Sequence, residues 1–500
     1  MIPTYLTCVG HIQGCRVLAV TRQSQTPLRA VLAVLSLAAF LASLDLFIVN
    51  VAFSSISRSF HGESLGNVSW VLNGYTIIFA ALLVPLGRLC DRVGRKKGFV
   101  AGLALFTAAS AACAGAPGLW WLVAARVLQA VGAAALTPSS LGLLIAAFPP
   151  ERRAAAVRVW AATGAVAAAL GPVVGGVLVE ASWRWVFLVN VPIGIGALVA
   201  TLRLVPDSRD PSVGALPDMV GAAVLTGAIG ALSLGLVKGT DWGFGSGRTL
   251  AALAAAAVLA GIFVYRTTHH PVPLVEPALV RVRAFAWANV TALLFGSGFA
   301  AGLLVLVLWL QDVWGWSAIK TGLAVAPGPL MVPVFAAVGQ RLARRVPVGL
   351  IACLGCVLFA VGGLLITTSI GEQPHWASEV LPGWIVGGIG VGFALPTILS
   401  SATADLPQQR ASTGSAIATM SRQVGSVVGV SVLVALLGHP VGYSAAHAAF
   451  QHGYVSVIVA AVLAALAAPL MTPRSASAAA PLRPQTSMTA PADATVMAPL

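Results

Sequence analysis

Fourteen apolar runs, each long enough to cross a bilayer, set the limits on what this chain can fold into. A ~30 Å hydrocarbon core is spanned by about 20 helical residues at a rise of about 1.5 Å each. Runs of roughly that length fall at 29–51, 67–87, 98–115, 120–146, 157–180, 185–204, 215–237, 250–267, 285–309, 318–340, 348–368, 379–401, 412–437 and 450–471. The bilayer core offers no water to backbone polar groups, so unbroken apolar segments of this length cross it as helices. The expected fold class is an all-α polytopic membrane protein. Hydrophobic residues make up 58% of the chain, above the roughly 45–50% of a soluble domain, which excludes a soluble enzyme.

The chain carries 29 Lys and Arg against 15 Asp and Glu, a net charge of +14. In a soluble protein that balance suggests nucleic acid. Here the cations gather in alternate connections: Arg88 to Lys97, Arg152 and Arg153, Arg203 and Arg209, Arg266 to Arg283, Arg341 to Arg345, and Arg410. That is the positive-inside bias, so the expected partner is the lipid bilayer and not nucleic acid. These connections are predicted to be cytoplasmic, and an even number of crossings then leaves both termini there. Residues 1–28 lack the basic start and clean apolar core of a signal peptide. They are expected to form a cytoplasmic leader, either disordered or preceding the true start. Residues 472–500, rich in Ala, Pro, Ser and Thr, are expected to be a disordered cytoplasmic tail.

Six cysteines form no disulfide framework, and the Cys353-Leu-Gly-Cys356 pair lies inside an apolar helix with no strand before it, which favours packing over redox chemistry. The eight histidines show no metal-ligand spacing, and no metal or cofactor is expected. There is no G-x-x-x-x-G-K-[ST] sequence, so the expected energy source is an ion gradient.

An internal repeat is visible. Gly339-Gln-Arg-Leu-Ala-Arg-Arg echoes the stretch opening at Gly87 after 252 residues, although Ala343 stands where Asp91 stood. Arg410-Ala-Ser-Thr-Gly echoes Arg152-Arg-Ala-Ala-Ala after 258, and helix 9 opens 256 residues after helix 1. A near-constant offset predicts two six-helix halves, 29–204 and 285–471, with a linker at 205–284 holding two additional helices. Repeated halves with a midplane site between them are the architecture of secondary transporters.

The stretch Leu86 to Phe99, LGRLCDRVGRKKGF, concentrates six charges between two apolar runs in a chain only 9% charged. Its pattern over Gly87, Asp91, Arg92, Gly94, Arg95, Lys96 and Lys97 closely resembles the signature loop of the major facilitator superfamily. Further motifs follow in order. Leu44-Asp45-Leu-Phe-Ile-Val-Asn50-Val-Ala resembles the helix-1 signature of the fourteen-helix drug:proton antiporters (EmrB/QacA type). Arg126-Val-Leu-Gln129-Ala-Val-Gly132 resembles the family's R-x-x-Q-G-x-G, with Ala130 replacing its first glycine. Gly171-Pro172 with Gly175-Gly176 resembles its G-P-x-x-G-G, and Ser182 to Pro192, Leu310 to Ser317 and Arg422-Gln423-Val-Gly425 extend the match. The resemblance implies a major facilitator fold of two six-helix halves plus two inserted central helices, in a bacterial plasma membrane. It also implies that Asp91 caps a neighbouring helix or pairs with an Arg, latching the halves on the cytoplasmic side.

Asp45 is the acid placed deep in an apolar helix, and such a carboxylate is costly unless it has a function; a structural salt bridge is the alternative. It lies about 16 residues, or roughly 24 Å, up helix 1, while Arg126 lies about six residues, or roughly 9 Å, down helix 4. The two therefore share a layer and are expected to form the proton-coupling pair. Asn73 and Tyr75 fall at the same depth, where they either line a cavity or pack. Gln129 shares a face with Arg126, and with Asn50 and Gln423 it is expected in the substrate cavity. Arg422, near the midplane, either faces anionic groups of a substrate or bonds backbone carbonyls. On helix 5, which also carries Gly164, the residues Ala167, Gly171 and Gly175 recur every four positions and leave a face without side-chain bulk, and Pro172 removes a backbone donor.

The expected function is a proton-coupled exporter of small amphipathic compounds working as a monomer. Transport of one specific metabolite is the alternative. A membrane enzyme would need clustered intramembrane acids or histidines, and a sensing receptor would need neither the repeat nor the loop. With few deep acids the cavity suits neutral, singly cationic or anionic amphiphiles better than polycations.

Overall fold

A computed structural model describes residues 28–209, 218–407, 410–438 and 442–472. The expected leader and tail lie almost wholly outside the described residues. Every regular element among the described residues is helical, and fourteen helices are long and apolar enough to span a membrane. They are α1 (Leu28–Ser59), α2 (Leu65–Val93), α3 (Arg95–Ala114), α4 (Leu119–Ala147), α5 (Pro150–Ala181), α6 (Trp185–Leu204) and α7 (Met219–Trp242). The chain continues with α8 (Gly247–His269), α9 (Arg283–Val313), α10 (Ala318–Leu342), α11 (Val348–Ser369), α12 (Leu381–Ala404), α13 (Ala411–Leu437) and α14 (Tyr443–Met471).

Several ends differ from the hydropathy reading. Helix α1 runs on to Ser59 and α5 begins at Pro150, because polar residues beyond the hydrocarbon edge remain helical although they no longer register as apolar. The basic stretch is likewise not an open loop: α2 continues to Val93 and α3 starts at Arg95, with Gly94 alone between them at φ 132. That left-handed backbone is where glycine is required. Side-chain caps set other starts, with Ser64, Asp218, Ser246 and Ser317 each accepting an amide hydrogen from the first turn of α2, α7, α8 and α10. Helix α6 is interrupted at Val189, α9 closes in a π turn over Trp309–Val313, and α10 breaks at Ala326 before Pro327.

The inserted hairpin sits at the seam between the halves, where α7 lies against both α2 and α13. A buried polar knot ties the three together. The Asn73 amide donates to the Ser233 and Ser431 hydroxyls at 3.2 Å each, and the two hydroxyls lie 2.9 Å apart.

The bundle has a basic end, marked by the Arg88–Lys97 turn, and an opposite end where the halves are closely joined. At the opposite end the Ser54 hydroxyl donates to Asp312 (3.3 Å) and the Gln311 amide to the Val51 carbonyl (3.0 Å). The Ile319 amide donates to Glu180 at 3.1 Å. Gly176 makes the approach of α5 to α10 feasible, since a methyl group there would lie 2.6 Å from the Ala318 carbonyl oxygen. Gly322 in turn faces the Pro172 carbonyl. Gly171 and Gly175 have a different neighbour, α1 of their own half, at Phe47 and Ile48; Gly164 is looser, near Ser43. The smooth face of α5 is thus shared between packing within one half and contact with the other.

Candidate functional site

Asp45 is sealed inside the first half at 0% exposure. Three donors converge on its carboxylate: Arg126 Nη1 at 2.5 Å on one oxygen, then Gln129 Nε2 at 2.9 Å and Asn190 Nδ2 at 3.2 Å on the other. Arg126 and Gln129 stand three residues apart on one face of α4, and Arg126 Nη1 also donates to Gln129 Oε1 at 2.7 Å. The Ser110 hydroxyl accepts from Gln129 at 2.8 Å, and the Val71 carbonyl accepts from Arg126 Nε at 3.2 Å. The Arg126 guanidinium carbon lies over the Tyr75 ring, 4.1 Å from its centroid, and Phe187 closes a second side at 5.6 Å. Such a cluster meets the demand that a buried charge be paired and hydrogen-bonded.

Arg126 reaches from this sealed shell to a central cavity between the halves. The cavity is walled by Asn50, Asn73, Thr76 and Arg126 from the first half and by Arg422, Gln423 and Ser426 from α13, with Phe47, Phe299 and Leu303 supplying apolar surface. Of the residues expected in a substrate cavity, Asn50, Asn73, Arg422 and Gln423 line this one. Tyr75 and Gln129 are not among the residues that line it; both are fully buried against Arg126. Depth along a helix is countable in a sequence, whereas the direction a residue faces depends on the neighbouring helices.

Asn190 is the site residue that sequence reasoning left without a role. It opens the second segment of α6 just after the break at Val189. About five residues down α6, roughly 8 Å, it falls in the layer of Arg126, so the same depth count reaches it. Ser110 on α3 carried no comparable signal.

At the basic end, Asp91 pairs with Arg95 across Gly94 at 2.5 Å, and the Arg95 amide donates to the Ser208 carbonyl at 2.9 Å. Lys96 donates to the Leu202 carbonyl at 3.1 Å, and Gly142 leaves room for the Arg95 side chain against α4. Gly87 lies against Pro138 of α4, and Arg92 is exposed. The turn is thus seated on α4, on α6 and on the segment that follows α6. The halves are instead bridged at this end by Glu276, which sequence reasoning did not single out. One of its oxygens takes Arg88 of α2 at 3.1 Å and the other takes Arg410, just before α13, at 3.3 Å. Among the described residues there is no cluster of three or more metal-ligating side chains.

A family model described as the Major Facilitator Superfamily matches residues 35–430. The chain is 36% identical to a probable actinorhodin transporter of Streptomyces coelicolor, over 79% of this chain and 69% of that protein. It is 33% identical to a methylenomycin A resistance protein of Bacillus subtilis, over 81% of this chain and 86% of that protein. A tetracenomycin C resistance and export protein of Streptomyces glaucescens is 31% identical over 79% and 73% of the two chains. Among solved structures, a peptide transporter bound to sulfate shares the fold with a TM-score of 0.63 at 18% identity, covering 88% of this chain and 95% of the other.

Proposed function

Because the chain belongs to the Major Facilitator Superfamily, we propose that it is a proton-coupled exporter of small amphipathic compounds, of the drug or antibiotic class, working by alternating access in a bacterial plasma membrane. The observation that carries this proposal is the joint between the Asp45–Arg126 pair and the central cavity. Arg126 is the member of the pair that faces the cavity. A proton on Asp45 removes the charge that Arg126 is held against, so proton occupancy changes the wall to which the exported compound binds. A compound need not touch Asp45 for the two fluxes to be linked.

The relatives named for actinorhodin, methylenomycin A and tetracenomycin C support an antibiotic-like cargo. With the basic end and both termini in the cytoplasm, the contacts of Ser54, Gln311 and Glu180 close the outer side of the cavity. A susceptibility panel in a pump-deficient bacterial host tests the proposal. Expression of the chain is expected to raise the inhibitory concentration of at least one amphipathic antibiotic, and Asp45→Asn to abolish that protection. A panel on which the expressed wild-type chain protects against nothing would sink the exporter assignment.

A further inference from the structure

The cavity presents a positive charge without a partner. Arg126 and Arg422 both reach its wall, but Arg126 is matched by Asp45 while no carboxylate lines the cavity beside Arg422. Among the described residues the Arg422 guanidinium makes no ion pair or hydrogen bond, and its Nε is buried with no partner at all. The alternative open in the sequence, bonding to backbone carbonyls, is therefore not what this side chain does. The Arg422 carbonyl and the start of its side chain fit against Gly296 of α9, and the residue borders the cavity. Arginine stays protonated at any physiological pH, so this half-buried guanidinium borders the cavity as a cation without a counter-charge. A bound anion would supply that counter-charge.

We infer that Arg422 selects cargo with one acidic group, a carboxylate or phenolate, attached to an apolar body. The guanidinium fork matches a carboxylate bidentately, and Phe47, Phe299 and Leu303 offer the surface for the apolar part. This rests on the exporter assignment for its physiological meaning, but binding can be measured without transport.

The test uses purified full-length protein in detergent, with anthraquinone-2-carboxylate and its neutral carboxamide as probes. Calorimetric titration of the wild type is expected to favour the acid by about tenfold or more, the worth of a charge-assisted hydrogen bond. Arg422→Gln is expected to lose that preference while still binding the amide, and Arg422→Lys to keep part of it. Equal binding of acid and amide by the wild type overturns the inference, whether or not the Gln variant folds. So does an Arg422→Gln protein that still prefers the acid. A wild type that prefers the acid yet moves neither probe under a proton gradient leaves the inference standing and counts against the exporter assignment. A wild type that drives both probes equally, with no binding preference, does the reverse.

Discussion

At the scale of single residues, the question is what keeps a charged pair stable inside a membrane bundle. The Asp45 carboxylate accepts three hydrogen bonds, and the Arg126 guanidinium has two acceptors besides that carboxylate plus an aromatic face. Removing one partner strands the other, so Arg126→Ala is expected to lower stability by about 3–5 kcal/mol, read as a loss of folded protein in detergent melts. Tyr75 separates stacking from hydrogen bonding. Its hydroxyl is buried with no partner, while its ring covers the guanidinium. Tyr75→Phe should therefore melt and transport like the wild type. Tyr75→Leu should cost about 1–2 kcal/mol through the lost cation–π contact, and equal behaviour of the two variants would remove the ring from the account. The pairing of Asp45 with Arg126 is legible in the sequence, because both depths follow from counting residues along a helix of known rise. That Tyr75 stacks against Arg126 is not, because counting fixes a layer and leaves the azimuth open.

At the scale of elements, the inserted hairpin shows how one acid fixes two helices. Asp218 caps α7 through the Gly221 amide at 2.7 Å and accepts both Arg266 Nη2 (2.7 Å) and Nε (3.0 Å) from α8. The hydrogen bonds from Arg266, followed by the one from the Gly221 amide, hold its carboxyl below the ordinary carboxylate range against the opposing effect of burial. A lowered folded-state value means that the stabilisation is present in full above the unfolded value of about 3.9. It is lost as pH falls through the folded value. Asp218→Asn keeps a cap acceptor but loses the ion pair, so the melting difference from wild type should be flat at neutral pH and shrink in acid. A difference that grows with acidity would contradict the assignment. Helix α13 makes the opposite point about glycine. A side chain at Gly429 would collide with the Ser297 carbonyl of α9, whereas Gly230 on α7 has nothing within 4 Å. Gly429→Ala is expected to destabilise the fold, and Gly230→Ala to be neutral or to gain up to about 1 kcal/mol of helix propensity, as detergent melts of both would report. The helices themselves are legible because an unbroken apolar run of spanning length has one solution in a bilayer. Their ends are less so: α1 continues to Ser59 and the basic turn shrinks to Gly94, since hydropathy measures the membrane and not the helix.

At the scale of the whole molecule, the repeat offset near 256 residues points to two halves, but it assigns no position to the inserted hairpin, which an interruption between halves leaves undetermined. The structure lays α7 on the seam, tied to α2 and α13 through Asn73, Ser233 and Ser431, and Glu276 bridges Arg88 and Arg410 beyond it. Only the packing of three helices brings those polar groups together, and no local pattern announces them. Everything in the functional account converges on Asp45, the acid buried within a spanning helix among the described residues. The direct test is accumulation in everted membrane vesicles with an acidic interior, using a compound against which the chain protects. The wild type should concentrate that compound and release it when the pH gradient is collapsed, while Asp45→Asn should bind and equilibrate it without concentrating it. Uphill accumulation by Asp45→Asn at the wild-type rate would contradict the account.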